Sequence, residues 1–272
     1  MQSDNLPGTD MIAAVSDSVL LTREGAVATV TLNRPERLNA LDLAMWRRLG
    51  EVLREIEADS NLRAVLVRGA GQAFAAGADL AEFAKARATA ADAEAYGRVM
   101  VTALHGLRDL KLPTVAMIRG ACVGAGLEIA IMCDLRIAAE GSRFGVPIQK
   151  VGVVMPWPEL GDLIETVGRA AALEILLEGR LFEAAEAAAK GLVTRVVPAE
   201  RLEAEVGETL RRLTEGSPLS HRLHKRMARR LMDARPLDPA EWREAYEAVE
   251  SVDYREGLAA FAEKRKPRFE GK

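Results

Sequence analysis

The sequence has few of the residues that build metal, disulfide and redox sites. Its 272 residues include two cysteines, Cys122 and Cys133, and three histidines that lie elsewhere along the chain. Two thiols without neighbouring ligands favour free, buried cysteines in a reducing cytoplasm over a disulfide framework or a metal centre. We therefore expect a cytoplasmic protein that holds no metal.

Long apolar runs and an excess of one charge are also lacking. No apolar segment approaches the ~20 residues that cross a membrane, and the first residues lack the basic and apolar regions of a secretory signal. The net charge is −3, with acids and bases mixed along the chain, which gives no support for nucleic-acid binding. A composition of 49% hydrophobic and 28% charged residues is typical of a soluble, globular protein.

Strand-like and helix-like segments alternate over the first two thirds of the chain. Residues 42–57 place Trp46, Leu49, Leu53 and Ile56 on one face of a predicted helix. The recurrence of strand, glycine and helix favours stacked ββα turns. No GxGxxG follows a strand, so a dinucleotide-binding fold has little support. The predicted strands are residues 26–32, 64–69, 114–120 and 135–140.

After about residue 160 the pattern becomes mainly helical. Gly191 is a typical glycine just beyond the end of a helix. The pattern therefore predicts a mixed α/β core to about residue 200, followed by helices. The predicted elements are helices over 161–178 and 182–193, a strand at 194–198, and helices over 199–266 with breaks near 216–218 and 236–239.

Two glycine-containing loops stand out, QAFAAGADLAEF at 72–83 and IRGACVGAGLEIA at 118–130. Gly77 permits a positive φ in the first loop. Residues 124–126 of the second loop would leave unpaired N–H groups at the start of a helix, where negative charge is favoured. One N–H from each loop, converging on one point, would form an oxyanion hole.

Four motifs, taken in order, resemble one family. They are TLNRPERLNAL at 31–41, AFAAGADLAEF at 73–83, IRGACVGAGLEIAIMCDLRIAAE at 118–140 and EGLAAFAEKRKPRF at 256–269. From about residue 19 to the C terminus the chain resembles the crotonase superfamily, also called the enoyl-CoA hydratase/isomerase family.

The resemblance implies an α/β fold, a spiral core of ββα turns with a helical C-terminal region that builds trimers, often paired as hexamers. We accordingly expect residues 1–18 to be a flexible tail, residues 19–200 to form the spiral core, and residues 201–272 to form the helical trimerisation region.

The resemblance also implies an acyl-CoA thioester as ligand, with coenzyme A as part of the substrate and no prosthetic group. It places the oxyanion hole on the backbone N–H groups of Ala78 and Ala125. In relatives, the CoA-contacting residues that match Phe261 and Lys264 often come from the C-terminal helix of a neighbouring subunit. The residues that it places along CoA are Arg37, Leu38, Ala76, Leu80, Phe261 and Lys264.

Family hydratases use two glutamates, and only one has a counterpart here. Glu128 matches the glutamate after the glycine-rich turn, whereas FGVPI at 144–148 puts Ile148 where relatives carry the second. The prolines of PWPE at 156–159 also remove backbone donors from the next turn. These departures put efficient classical hydration in doubt. They leave open isomerisation, decarboxylation, thioester hydrolysis, or binding of acyl-CoA without chemistry.

The other acids and the nearby histidine have more ordinary interpretations. Glu128 lies among apolar residues, so we expect burial to raise its pKa and suit it to moving protons. Glu159 or Asp162 could turn toward the pocket and restore a pair, but an acid at a helix start is commonly only a partner of the helix dipole. We expect Asp79 to hold its loop, and His105 to take no part in chemistry.

Overall fold

Two β-sheets organise the chain. The computed structural model describes residues 18–272, except for the side chains of Ala84 and Ala245. The predicted flexible tail lies outside the described residues apart from Ser18. The strands are β1 Val19–Glu24, β2 Val27–Leu32, β3 Ala64–Gly69, β4 Thr114–Ile118, β5 Ala121–Val123, β6 Leu135–Ala139, β7 Arg143–Gly145, β8 Phe182–Glu183 and β9 Arg195–Val197.

The larger sheet has the strand order β1-β2-β3-β4-β6-β9. β1 and β2 are antiparallel, and each later neighbour is parallel, with Leu66 opposite Thr29 and Val115 in the β2, β3 and β4 ladders. The smaller sheet has the order β5-β7-β8. The predicted α/β spiral is therefore confirmed, and consecutive turns stack through parallel strand pairing.

Helices connect the strands and then fill the C-terminal part of the chain. Asp42 caps the first helix by accepting a hydrogen bond from Met45 N. None of the helices within residues 18–272 is long and apolar enough to cross a membrane. They are α1 Leu43–Glu57, α2 Leu80–Ala86, α3 Ala90–Arg108, α4 Ala125–Ile131, α5 Trp157–Glu178, α6 Ala184–Ala189, α7 Leu202–Glu215, α8 Pro218–Arg230, α9 Pro239–Glu247 and α10 Val252–Ala262.

The sheet is covered on both faces. On one face α1 packs against α3 and buries the four residues predicted to share its apolar face. On the other face α7 packs against β3, β4 and β6, with Leu202, Val206 and Leu210 in contact with Leu66 and Val115. The helix-rich part of the chain thus begins as a cover for the core sheet.

Three predicted boundaries are wrong. The fifth helix begins at Trp157 rather than 161, because proline suits the first turn of a helix, where an N–H is unpaired in any case. Residues 182 and 183 pair with β7 as a strand, so the next helix starts at Ala184. α8 ends at Arg230, well before the prolines that we expected to break it.

The predicted glycine loops lie against each other. Ala75 N donates to Ala121 O at 2.9 Å, and Val123 N donates to Ala75 O at 3.0 Å. Asn39 is fully buried and its Nδ2 donates to Ala73 O at 2.8 Å. These bonds fix the position of the first loop against the second.

Gly126 makes this close approach possible. A Cβ at this position would lie 2.4 Å from Ala75 O and 2.8 Å from Ala75 Cβ, which is inside van der Waals contact. Cys122, one of the two buried free thiols, packs beneath the same turn and its Sγ lies 3.6 Å from Gly126 O. The start of α4 therefore rests directly on the backbone of the first loop.

We predict that Gly126→Ala lowers the free energy of unfolding by about 2 kcal/mol, because the added methyl forces the loops apart. Gly97→Ala is the matched control, since Gly97 lies in α3 and has no atom within 4 Å of an added Cβ. The control should gain roughly 0.5–1 kcal/mol from its lower chain entropy. Urea denaturation measures both, and equal effects of the two substitutions would contradict the packing argument.

Candidate active site

Gly77 and Gly124 bring the two loops into contact. A Cβ on Gly124 would lie 3.7 Å from Gly77 Cα, and a Cβ on Gly77 would lie 3.4 Å from Val123 O. The φ angles are +118° at Gly77 and +51° at Gly124, a region that favours glycine. Ala78 follows Gly77 and Ala125 follows Gly124, so both predicted oxyanion-hole residues lie next to this contact.

The N–H groups of Ala78 and Ala125 are unpaired. Ala125 is the first residue of α4, where an N–H has no acceptor within the helix. The neighbours of Ala78 are both engaged, because Leu41 N donates to Gly77 O and Asp79 N donates to Leu41 O, each at 2.8 Å. Across residues 18–272 no acceptor is found for either N–H. Two donors are thus available beside the loop contact.

Glu128 lies one turn further along α4. Its side chain is 8% exposed, and Oε2 has no hydrogen-bond partner among the described residues. Burial, followed by the nearby carboxylates of Glu159 and Asp162, raises the pKa of Glu128 to about 7, and the positive charge of Arg87 offsets part of this. The raised pKa that the sequence predicted is confirmed.

Glu159 is buried near Glu128. It lies in the first turn of α5, which packs against α4, and it is 1% exposed. Both carboxylate oxygens lack partners within the described chain. Burial raises the pKa of Glu159, its own backbone N–H offsets part of this, and the Asp162 carboxylate raises the pKa further. Glu159 therefore lies at a helix start, where the dipole favours an acid, and it is buried there rather than exposed to solvent.

Asp162 differs because its charge is paired. His105 Nε2 lies 3.0 Å from Oδ2, and Arg108 Nη1 donates to Oδ1 at 2.9 Å. Both partners come from the last turn of α3. Asp162 and His105 therefore form a structural ion network, and His105 is held at one edge of the buried acids.

Ile148 occupies the position where relatives carry the second glutamate. It begins a short 3-10 helix, Ile148–Val151, and packs half-buried against the main core. Asp79 holds its loop as predicted, since it caps α2 through Ala81 N and pairs with Arg34 at 3.1 Å. Neither residue adds a free carboxylate to Glu128.

Four of the predicted CoA-contacting residues lie together. Ala76 N donates to Leu38 O at 2.9 Å, and Arg37 ends the turn that precedes Leu38. Leu80 is the first residue of α2. Leu38 and Leu80 are 51% and 54% exposed, so an apolar edge with a neighbouring arginine faces outward beside the loops.

Phe261 lies in the last turn of α10, and Lys264 follows the end of that helix. Phe261 is 86% exposed, and the backbone of Lys264 has φ +54°. The hydrogen bonds of α10 to other segments of the described chain run through Asp253 to Ser217 and to residues 270–272, and through Glu256 to residues 265–268. None of these hydrogen bonds reaches the segment that carries the other four residues.

Sequence reasoning offered Glu159 and Asp162 alike as acids that could turn toward the pocket, and it did not distinguish between them. One signal was present, because a glutamate at the third helical position usually reaches back to the N–H of the cap residue. The cap of α5 is Pro156, which has no N–H to offer. The motif PWPE thus left Glu159 without its usual local partner.

Comparison with known proteins agrees with the fold and the motifs. A solved structure described as an enoyl-CoA hydratase/carnithine racemase from Magnetospirillum magneticum is 52% identical, with a TM-score of 0.93 over 94% of this chain and 97% of that one. An enoyl-CoA hydratase from Bacillus anthracis is 30% identical, with a TM-score of 0.86 over 94% of this chain and 100% of that one.

A curated relative and a family profile extend the agreement to nearly the whole chain. The short-chain-enoyl-CoA hydratase of Clostridium acetobutylicum is 33% identical over 254 residues, which are 92% of this chain and 96% of the relative. The profile described as enoyl-CoA hydratase/isomerase matches residues 22–272. The chain is therefore an enzyme of the enoyl-CoA hydratase/isomerase family, the crotonase family, whose members act on acyl-CoA.

Proposed function

We propose that the protein binds a short-chain 2-enoyl-CoA and stabilises the enolate of its thioester, with Glu128 moving the proton. One observation carries this proposal. Glu128 is a buried acid whose Oε2 has no hydrogen-bond partner among the described residues, and it lies one helical turn beyond the unpaired N–H at Ala125. Unpaired donors and an unpaired acid side by side are costly in a folded protein unless a ligand uses them.

The two backbone donors would bind the thioester oxygen. When a nucleophile adds to C3, or a proton leaves C4 or C2, negative charge moves to that oxygen. Fixed N–H groups of Ala78 and Ala125 stabilise this charge without reorganising, and one such donor typically contributes roughly 3–4 kcal/mol to the barrier.

Glu128 suits proton transfer near neutral pH. Its pKa of about 7 leaves both the acid and the carboxylate populated, and a general acid or base works best when its pKa lies near the working pH. The carboxyl group sits on the same helix as one oxyanion donor, so a thioester held there presents its acyl carbons to it.

The edge beside the loops supports the assignment of CoA. Arg37 offers a cation for a phosphate, and Leu38 and Leu80 offer apolar surface for the adenine ring. Phe261 and Lys264 would complete this contact from a neighbouring subunit. The relative from Clostridium acetobutylicum carries a name for short-chain enoyl-CoA chemistry, which favours a small acyl group.

The C-terminal helices support a homotrimer, alone or paired as a hexamer. Side chains of α9, α10 and the segment after α8 expose large apolar groups that water does not favour. A contact between subunits over this surface would bury them and would carry α10 toward the CoA edge of another chain. The exposed residues are Leu231, Met232, Trp242, Tyr246, Leu258 and Phe261.

One observation supports a second candidate function, binding without chemistry. Ile148 cannot carry a proton, and it stands where family hydratases hold an acid. Crotonyl-CoA separates the two candidates because both should bind it, whereas only an enzyme converts it.

We predict that the wild-type protein converts crotonyl-CoA, by gain of one water or by movement of the double bond, and that Glu128→Gln lowers kcat at least ~100-fold with binding retained. Mass spectrometry and NMR detect the two products. Glu140→Gln, an exposed acid after β6, is the matched control and should keep full activity. Bound but unchanged crotonyl-CoA in the wild type would establish the binding protein instead.

We predict that Ala125→Pro lowers kcat/KM by roughly 100- to 1,000-fold, because proline removes one oxyanion donor. Proline is tolerated at the first residue of a helix, so the fold should survive. Ala90→Pro is the control, since Ala90 is the first residue of α3 and touches none of the proposed machinery. Steady-state kinetics on both variants decide the matter, and similar losses in the two would speak against a donor at Ala125.

We predict that stability falls as the pH rises toward 7 and that Glu128→Gln removes the part of this fall that Glu128 causes. The pKa of Glu128 rises from 4.5 in the unfolded chain to about 7 on folding. Between these values the folded state binds more protons, so the group's contribution is full below pH 4.5 and is lost above 7. The variant should gain about 3 kcal/mol over wild type at high pH.

Urea denaturation at several pH values measures this difference. Glu140→Gln serves again as the control and should follow the wild-type curve. Parallel curves for wild type and Glu128→Gln would show that Glu128 does not hold its proton in the folded protein.

A further inference from the structure

We propose that Glu159 is the second carboxylate of the site, that it shares one proton with Glu128, and that the pair adds water across the C2=C3 bond of the enoyl thioester. The inference rests on the proposed function and adds to it a residue and a reaction.

Three buried acids meet where α4 and α5 pack, and only two of them are uncommitted. Asp162 is held by His105 and Arg108. Glu159 leaves both carboxylate oxygens unpartnered, and Glu128 leaves Oε2 unpartnered, within the described residues. Buried polar groups are normally satisfied, so a ligand that meets both acids would supply what the protein leaves out.

The two free acids lie close enough to interact. Glu128 is the fourth residue of α4, and Glu159 is the third residue of α5. Burial contributes most to the raised pKa of Glu128. Among the neighbouring charged groups, Glu159 contributes most. Two ionised carboxylates in one buried space repel strongly, so such a pair keeps a single proton over a wide pH range.

Local helix chemistry does not explain the position of Glu159. Its usual reciprocal bond to the cap residue is impossible at Pro156, and α5 has no side-chain cap. Its side chain nevertheless turns inward and is 1% exposed. Burying such an acid without a partner costs stability. Its position therefore favours a role in catalysis over a role in stabilising the fold.

The substitution at residue 148 completes the argument. The position that supplies the second acid in relatives holds Ile148, which packs into the core. Eleven residues later the chain supplies an inward-facing carboxylate from a different element. The site therefore contains two acids that can carry a proton. The second acid comes from α5, whereas in relatives it comes from the turn at residue 148.

Neighbouring charged groups influence how readily each carboxyl group of the pair ionises. Arg87 lies over the rings of Phe83 at 4.6 Å and Tyr96 at 5.2 Å, and its buried Nε has no partner in the described chain. Arg87 lowers the pKa of Glu128, and Arg87 and His105 lower that of Glu159, while Asp162 raises both. These groups allow one carboxylate to stay ionised beside its protonated partner.

The reaction balances with the pair alone. The ionised carboxylate takes a proton from water while the water oxygen forms a bond to C3. The C2=C3 π electrons move toward the thioester, whose oxygen becomes the enolate held at Ala78 and Ala125. The protonated carboxyl then gives its proton to C2, and the C=O bond re-forms. The product is the 3-hydroxyacyl thioester, and the pair has exchanged the roles of acid and base.

The test is hydration of crotonyl-CoA by Glu159→Gln. We expect kcat to fall at least ~100-fold with little change in KM, and the pH profile of kcat/KM to change from a bell to a curve with one inflection. Glu165→Gln, an exposed acid in the same helix, is the matched control and should keep the wild-type rate and profile.

Two outcomes separate this inference from the proposed function. Wild-type hydration that is lost in Glu128→Gln but kept in Glu159→Gln, with an unchanged pH profile, would make Glu159 a structural acid and overturn the inference alone. No conversion by wild type would overturn the proposed function, and the shared proton is then tested by infrared titration of protonated carboxyl groups.

The infrared titration also tests the inference if Glu159→Gln folds poorly, because it compares wild type with the more conservative variant Glu159→Asp. In wild type the carboxyl band should persist to higher pH than in Glu159→Asp, because the shorter acid repels Glu128 less. An identical titration of Glu128 in the two proteins would overturn the shared proton.

Discussion

The structure depends on a direct backbone contact between two loops. Ala75 exchanges hydrogen bonds with Ala121 and Val123, and Gly126 has no side chain that would keep the start of α4 away from Ala75. The contact joins Ala75 to β5 through a single isolated bridge, and it requires that Gly126 has no Cβ. Ala78 and Ala125 lie directly beside this contact, and no acceptor for either N–H is found across residues 18–272.

The charges of the site show a second constraint. Asp162 is buried and paired with Arg108, and its other carboxylate oxygen lies 3.0 Å from His105 Nε2, since buried charges are normally paired. Glu128 and Glu159 are also buried, and within the described part of the chain Glu128 Oε2 and both carboxylate oxygens of Glu159 have no hydrogen-bond partner, so the fold bears the cost of their desolvation. The same three helices thus contain a satisfied acid that stabilises the packing and two unsatisfied acids that destabilise it, which is the arrangement expected of groups kept for chemistry.

The pattern of the sequence predicted the elements whose cause is local. β3 and α1 are recovered with boundaries that differ by at most one residue, because apolar periodicity and a capping Asp42 act within a few residues. Residues 182 and 183 were misassigned because a two-residue strand exists only through its partner β7. The early start of α5 was missed because two prolines resemble a break, although they also suit a first turn.

The sequence by itself determined the family, the two glycine loops, the acid at Glu128 and its loss of a proton-carrying partner at Ile148. The glycine loops follow from residue types at short spacing, whereas the family and the meaning of residues 128 and 148 follow from the motifs that the chain shares with relatives. Only the tertiary structure decided that Glu159 lies beside Glu128 while Asp162 is neutralised by α3, because burial and charge pairing depend on which helices pack together. Glu128 and Glu159 are separated by 31 positions, and no periodic pattern reports a distance between side chains on different elements.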